Sequence, residues 1–383
     1  MKCKKILTAL LAAACTMSGC HGDLDIMQDN KLSASNMWID ESDAETATYG
    51  IYLYMRDALK SVHDIYLCWG EFRNGLWGAG TNKTLSGVDQ TQVRTSTMSS
   101  SNAYADWSVM YKTVNQANLI LKHVPEMGIS ESVRNFSLGN AYFSRAWCYF
   151  WIARIWGDAP LALTGYESTG GDLYLPRAPK AEIFARIESD LTEAERYVTD
   201  NSDKAVATPA AVQMLKADYA LWMYRVAGGG SSYLTMAEKA IEALNLSASR
   251  LESDYAQVFS SANKLNKEVI FAVHQANGEA VNGPGYYLGW NSNYVEAAYQ
   301  NNPVPITGGN QWWWYTDRYK ALLTSVEGDT RTKLTYNRAD YGTTIKSIEW
   351  TEKGVGQMIS GARIFDSDFI LYRYAEASLM DAE

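Results

Sequence analysis

Residues 142–161 read YFSRAWCYFWIARIWGDAPL, and this stretch decides the fold class. Arg145, Arg154 and Asp158 interrupt it, so it lacks the roughly 20 consecutive apolar residues that a membrane span requires. Small residues and rings recur at helical spacing, which lets neighbouring helices approach closely. Because the stretch is apolar on nearly every side, the sequence predicts a helix that is buried in the interior of the protein.

Helical periodicity of apolar residues extends over much of the chain. The further predicted helices are at residues 43–59, 104–123, 180–198, 209–226 and 233–244. Their short spacing, without alternating strands, favours stacked helix pairs of the tetratricopeptide kind, although no clean repeat of about 34 residues is present. The predicted fold is therefore mostly α: a tetratricopeptide-like scaffold of helical pairs with irregular loop insertions and a few short strands.

From residue 268 onward the pattern becomes irregular. Residues 269–273 predict a short strand, and a loop rich in glycine and rings follows at residues 282–290. Helical periodicity returns at residues 369–383, where the chain stops without Gly, Pro or a polar tail. We therefore expect one domain over residues 20–383 that lacks the C-terminal portion of a longer protein.

The first twenty residues have the pattern of an export signal, with three lysines, an apolar stretch and small residues before Cys20. Residues 16–20 resemble a bacterial lipobox, in which the chain is cut before the cysteine and the thiol is acylated. The prediction is a signal peptide at residues 1–19 and a lipid anchor at Cys20. An ordinary secretory signal with an incidental cysteine is the alternative.

The net charge, and the two cysteines that remain after the predicted signal peptide and Cys20 are set aside, exclude some classes of protein. The net charge is −9, and removal of residues 1–19, with three lysines and no acids, makes it −12. An acidic chain is disfavoured as a nucleic-acid partner, because phosphates require a basic surface. Cys68 and Cys148 would allow one disulfide, but Cys148 lies in the apolar stretch, which favours a buried thiol.

Five blocks of residues, taken in order, identify a family. They comprise Trp107, Tyr111, Asn115 and Asn118; Ala141, Phe143, Arg145, Ala146, Tyr149 and Phe150, closed by Gly157, Pro160 and Leu161; Pro176, Arg177, Glu182, Ile183, Ile187, Asp190, Leu191 and Ala194; Glu268, Val269, Ile270 and Phe271; and residues 373–383, RYAEASLMDAE. With the lipobox, these blocks resemble the SusD/RagB family of surface lipoproteins in Bacteroidetes over nearly the whole chain.

The resemblance implies a function in nutrient binding. It implies a lipid-anchored protein on the extracellular side of the outer membrane that binds an oligosaccharide and delivers it to a SusC-like TonB-dependent transporter. A tetratricopeptide-like scaffold would pack on the transporter, and irregular insertions would form the ligand face. Family members continue past the helix at residues 373–383, so the last family segment is expected to be missing. Peptide capture, which some relatives perform, is the alternative binding function.

Rings in glycine- and asparagine-rich loops are the candidate ligand contacts, because sugars stack their C–H faces on rings and bond to amides and Arg. The candidate ligand-binding residues are Trp69, Arg73, Asn74, Trp77, Tyr286, Tyr287, Trp290, Trp312, Trp313 and Trp314. For each ring, the alternative is packing over the scaffold. Adjacent indoles at residues 312–314 point in different directions in any regular backbone, so at least one is expected to meet solvent, a partner or a ligand.

No catalytic pattern is present in the sequence. G-x-S-x-G, H-E-x-x-H, C-x-x-C and the P-loop are all absent. The four histidines, at residues 21, 63, 123 and 274, are far apart in sequence, so neither a metal site nor a cofactor is predicted. We therefore predict a binding protein and not an enzyme. A lipoprotein glycosidase, which needs two positioned carboxylates, is the less favoured alternative.

Overall fold

The computed structural model describes residues 37–80, 88–168, 170–171, 173–279, 282–309, 311 and 313–383, with only the backbone of residues 63 and 64. The predicted signal peptide at residues 1–19, the predicted anchor Cys20 and the candidate ligand residue Trp312 lie outside the described residues. Residues Asp40–Glu383 form one compact unit.

Helices form the larger part of this unit. The described helices are α1 (Glu41–Gly70), α2 (Val88–Thr95), α3 (Ser108–His123), α4 (Glu131–Trp156), α5 (Lys180–Tyr197), α6 (Pro209–Arg225), α7 (Ser231–Glu242), α8 (Tyr255–Val258), α9 (Asp317–Leu323), α10 (Thr330–Thr335) and α11 (Tyr374–Ala382). From α3 to α7 each helix packs on the next one in the chain, and α1 packs on α3 and α4. This is the predicted scaffold of helical pairs, so the mostly α fold class is confirmed.

The helix of the quoted stretch, α4, is buried on nearly every side, as predicted. Phe143, Trp147 and Phe150 on α4 are at most 1% exposed. The helix ends at Gly157, whose φ of +73° lies in the left-handed region that favours glycine. None of the helices in the described ranges has the length and the apolarity needed to cross a bilayer.

One buried ion pair ties the central helices together. Arg145 on α4 donates from Nε and Nη2 to the two carboxylate oxygens of Asp190 on α5, at 2.8 and 2.7 Å. Its Nη1 donates to Asn118 Oδ1 on α3 at 2.7 Å. Asn118 Nδ2 in turn donates to the carbonyl oxygen of Ala162 at 3.0 Å. Residues from three motif blocks therefore form one structural network across α3, α4, α5 and the loop after α4.

The strands are short and pair two by two. They are β1 (Trp77–Ala79), β2 (Ala159–Pro160), β3 (Arg177–Ala178), β4 (Val269–Val273), β5 (Trp313–Tyr315), β6 (Asn337–Ala339), β7 (Ile348–Trp350), β8 (Gln357–Ile359), β9 (Ala362–Ile364) and β10 (Phe369–Arg373). Antiparallel pairs join β1 to β5, β2 to β3, β4 to β10, β6 to β7 and β8 to β9. The predicted strand at residues 269–273 is confirmed as β4, which is buried along its whole length.

The prediction of one helix over residues 369–383 is wrong in its first part. Phe369–Arg373 is strand β10, and the helix α11 begins at Tyr374. Pairing with the buried strand β4 outweighs the local periodicity, because the ladder and the core contacts exist only in the tertiary structure. Arg373 Nη1 also donates to Glu268 Oε1 at 2.8 Å, so the last two motif blocks meet in this pair of strands.

The two cysteines of the described chain, Cys68 and Cys148, are buried and form no disulfide. Burial raises the pKa of the Cys148 thiol well above its usual range. The interpretation of Cys148 as a buried thiol is therefore confirmed, and a bond between it and Cys68 is excluded in this structure.

Candidate ligand-binding site

The ring-rich loops fold onto the end of α1 to form a second core. β1 and β5 pair antiparallel, with Trp77 opposite Tyr315 and Ala79 opposite Trp313. Phe72, from the loop after α1, packs against Trp313 with ring centroids 5.5 Å apart. Helix α1 was predicted to end at residue 59 but extends to Gly70. The residues of its last turns are buried among these rings, which stabilises the added turns.

Four of the candidate ligand residues lie in the core. Trp290, Trp313 and Trp314 are at most 1% exposed and Trp77 is 7% exposed. The Trp290 indole donates from Nε1 to the carbonyl oxygen of Glu349 at 2.8 Å. The alternative of packing over the scaffold therefore describes these rings, because glycine-rich loops allow a ring to fold inward as easily as outward. At least one exposed indole was expected among residues 312–314, and neither Trp313 nor Trp314 is exposed.

The other candidates lie closer to the surface. Trp69 is half-buried and its Nε1 donates to the carbonyl oxygen of Tyr104 at 2.9 Å. Tyr286 and Tyr287 are half-buried and pack edge to face, with ring centroids 4.9 Å apart. Both polar candidates of the first loop, Arg73 and Asn74, are exposed. These five side chains remain able to reach a ligand, and two of them, Trp69 and Tyr287, pack against the same cluster of buried rings.

A cavity of about 460 Å³ lies where the helical scaffold meets the strand-rich half. Its walls include the end of α1, the segment after α8, residues of β10 and the loop that carries Lys353. This volume falls in the range of small-molecule sites, about 300–1,000 Å³. Gly70 and Glu71, which are exposed, border it, so the cavity reaches the surface at the end of α1. Among the predicted ligand residues, Trp77 lines this cavity.

Rings from distant parts of the sequence line the cavity. These are Tyr66, Trp77, Trp151, Phe259, Tyr315, Tyr319 and Phe369. The sequence pattern predicted a buried helix over the stretch at residues 142–161, which contains both Trp147 and Trp151. Trp147 is 1% exposed and does belong to the core, whereas Trp151 is half-buried and faces the cavity. Periodicity alone cannot separate the two, because the opposite wall comes from strands far along the chain.

Two close glycines bring the loop of Lys353 against the loop at residues 282–290. Gly285 has a φ of +92° and Gly354 a φ of +71°, both in the left-handed region that favours glycine. A Cβ atom on Gly285 would lie only 2.8 Å from the carbonyl oxygen of Gly354. The two glycines therefore permit a close approach that carries Lys353 into the cavity wall.

Cationic groups gather at this wall around one ring. Lys353 Nζ lies 4.4 Å from the centroid of Phe259, and the Arg373 guanidinium lies 5.5 Å from the same centroid. Burial, together with the charge of Arg373, lowers the pKa of Lys353 to about 8. No sequence motif marks Lys353, so sequence reasoning missed it.

The neighbouring acids of the wall are already engaged. Lys264 Nζ lies 3.4 Å from Asp366 Oδ2 and 3.8 Å from Asp368 Oδ1. His274 Nδ1 lies 3.1 Å from that same oxygen of Asp368. In the parts of the chain that the structure describes, no group of three or more His, Cys, Asp and Glu side chains could hold a metal ion.

Comparison with known sequences gives partial matches to one family. The family model described as starch-binding and associating with the outer membrane matches residues 79–222. SusD-like protein P38 of Formosa agariphila is 26% identical over 190 residues, which are 50% of this chain and 36% of that protein. A SusD-like protein of Bacteroides ovatus is 26% identical over 174 residues, which are 44% of this chain and 32% of that protein. The chain thus matches about a third of the length of these curated relatives.

Solved structures match the fold over most of the chain. A SusD superfamily protein of Bacteroides fragilis has a TM-score of 0.74 at 25% identity, covering 90% of this chain and 74% of that one. B. fragilis NanU has a TM-score of 0.74 at 26% identity, covering 93% and 77%. Surface glycan-binding protein A of Bacteroides thetaiotaomicron, in complex with laminarihexaose, shares the fold with a TM-score of 0.71 at 17% identity, covering 89% and 78%. In its motif blocks, its partial sequence matches and its helical scaffold, the chain is similar to the SusD/RagB family.

Proposed function

We propose that this protein binds an oligosaccharide at the bacterial outer membrane and delivers it to a SusC-like TonB-dependent transporter. The observation that carries the proposal is the ring-lined cavity between the helical scaffold and the strand-rich half, in a chain that is similar to this family. Rings offer flat apolar faces to the C–H faces of a sugar. Exposed amide and charged groups near the mouth, such as Asn74 and Glu71, can bond to sugar hydroxyls.

The proposed ligand contacts are the candidate side chains that are at least partly exposed. We propose that Trp69, in the last turn of α1, and Arg73 and Asn74 of the loop that follows meet the ligand outside the cavity. Two further sets complete the proposal. The half-buried Tyr286 and Tyr287 extend the ligand face, and the newly identified Trp151 and Tyr319 stack on the sugar inside. Trp312, outside the described residues, is kept as a proposed ligand contact from its sequence context alone. The buried Trp77, Trp290, Trp313 and Trp314 support these residues from behind.

The anchor and the partner belong to the same proposal. Cleavage after residue 19 and acylation of Cys20 would hold the protein at the outer membrane, facing outward. The packed helices α3 to α7 would then lie on the transporter, while the cavity receives the glycan. The protein acts by binding, without catalysis and without a cofactor.

A binding experiment tests this function. The chain is screened against an array of neutral and acidic oligosaccharides, with laminarihexaose, the ligand in the Bacteroides thetaiotaomicron complex, as the first neutral probe. Tyr319→Ala removes a ring that lines the cavity, and loss of a ring contact of about 1 kcal/mol should weaken binding several-fold to tenfold. Tyr174→Ala is the control, because Tyr174 is 93% exposed and does not line the cavity. Absence of glycan binding, or equal affinity in both variants, contradicts the proposal.

A further inference from the structure

The ammonium group of Lys353 is a charge at the cavity wall with which no carboxylate of the described residues forms an ion pair. Within the ranges that the structure describes, Lys353 Nζ has no hydrogen-bond acceptor and no carboxylate within ion-pair distance. Two rings lie near it, with Phe259 at 4.4 Å and Tyr255 at 6.0 Å from Nζ to the ring centroid. A ring face attracts a cation only weakly compared with a carboxylate.

The other cations at this wall are paired, which sets Lys353 apart. Arg373 donates to Glu268 at 2.8 Å, and Lys264 lies 3.4 Å from Asp366. Glu71 also borders the cavity, and its negative charge opposes the lowering of the Lys353 pKa. Its carboxylate accepts from Asn74 Nδ2 and lies beyond ion-pair distance of the Lys353 ammonium. A desolvated charge without a partner is unfavourable, so such groups commonly mark a place where a ligand supplies the opposite charge.

We propose that the cavity binds the carboxylate of an acidic sugar, with Lys353 as the group that recognises it. The inference rests on the proposed function for the carbohydrate class and adds the charge of the ligand. The cavity of about 460 Å³ has room for a sugar ring, and Trp151 and Tyr319 line it as stacking faces.

The pKa of Lys353 agrees with this geometry. Burial and the charge of Arg373 lower it to about 8, so the group is still mostly protonated at neutral pH and can attract an anion. A bound carboxylate would favour the charged form of the amine and thereby relieve the cost of burial.

The test compares D-glucuronate with D-glucose, which differ by the carboxylate at C6. Affinities are measured by titration followed by NMR on the full chain and on Lys353→Met, which keeps the length of the side chain and removes the charge. Lys353→Arg keeps a positive charge at the same place. Lys346→Met removes a positive charge at an exposed site outside the cavity and controls for net charge. Thermal unfolding establishes that each variant is folded.

Wild type is expected to bind D-glucuronate at least about tenfold more tightly than D-glucose. Lys353→Met should weaken D-glucuronate binding about tenfold to a hundredfold and leave D-glucose unchanged, whereas Lys353→Arg retains most of the preference. Lys346→Met should behave like wild type.

Three outcomes overturn the inference. These are equal affinity of wild type for the two sugars, full preference in Lys353→Met, or an equal loss in Lys346→Met. The first comparison needs no variant, so the inference stays testable even if Lys353→Met fails to fold. Binding of laminarihexaose or another neutral glycan without a preference for D-glucuronate refutes this inference alone. Failure to bind any glycan, neutral or acidic, refutes the proposed function itself.

Discussion

Replacement of Arg145 by Met is expected to destabilise the protein strongly. The side chains of Arg145 and Asp190 are 6% and 0% exposed, so the substitution leaves a carboxylate buried without its main partner. Breaking a buried pair in this way costs about 3–5 kcal/mol. Asn118 also loses the donor to its Oδ1, while Arg186, at 3.6 Å from Asp190, compensates in part. We therefore expect a loss of about 4 kcal/mol in the free energy of unfolding.

The measurement is urea-induced unfolding followed by far-ultraviolet circular dichroism. Arg145→Met combined with Asp190→Leu removes both charges, and it should recover much of the loss, because apolar replacement of a buried pair is often nearly neutral. Arg196→Met is the matched control on α5. Its partner Glu193 lies 3.6 Å away and the Arg196 side chain is 68% exposed, so a change below about 1 kcal/mol is expected.

Two results would refute this reasoning. One is a loss in Arg145→Met no larger than in the Arg196→Met control. The other is a double variant whose loss equals the sum of the losses of the two single variants, since contacting residues in one network should be coupled by about 0.5–3 kcal/mol. Either result would remove the structural role assigned here to the motif residues of α4 and α5.

Three further predictions address pH, the membrane anchor and the rings of α4. Burial, together with the charge of Asp218, raises the pKa of Glu376 to about 7, so the folded state retains a proton that the unfolded state loses above its ordinary value of 4.5. Stability is therefore lost as pH rises from about 4.5 to 7. In urea unfolding, Glu376→Gln should have a free energy of unfolding up to about 3 kcal/mol above that of wild type at pH 8, and little above it at pH 4. An equal effect at both pH values contradicts this prediction. Cys20→Ser should leave the protein soluble or unprocessed in membrane fractionation, and wild-type retention in cells without the transporter would contradict the lipid anchor. Trp147→Ala should lower the free energy of unfolding by about 3–5 kcal/mol. Trp151→Ala should lower it by less and should weaken glycan binding, as measured by urea unfolding and calorimetry. A larger loss of stability in Trp151→Ala than in Trp147→Ala would place Trp151 in the core.

The sequence pattern predicted the helical scaffold well, because the apolar period and the stop residues of a helix lie close together in the chain. The apolar period of α4 and the proline and glycine stops around it depend on residues only a few positions apart. The strand Val269–Val273 was predicted for the same reason. At residues 369–373 the same reasoning failed, since the strand there exists only through its pairing with β4.

The candidate site was predicted much less completely. The sequence alone determined that rings are concentrated in loops and that Arg145 and Asp190 belong to motif blocks. Only the tertiary structure decided that Trp290 and Trp313 face inward, that Arg145 and Asp190 face each other, and that Trp151 and Lys353 share a cavity. The physical reason is distance along the chain: burial, pairing and cavity walls arise from side chains that lie tens to hundreds of residues apart, and local spacing carries no information about which of them meet.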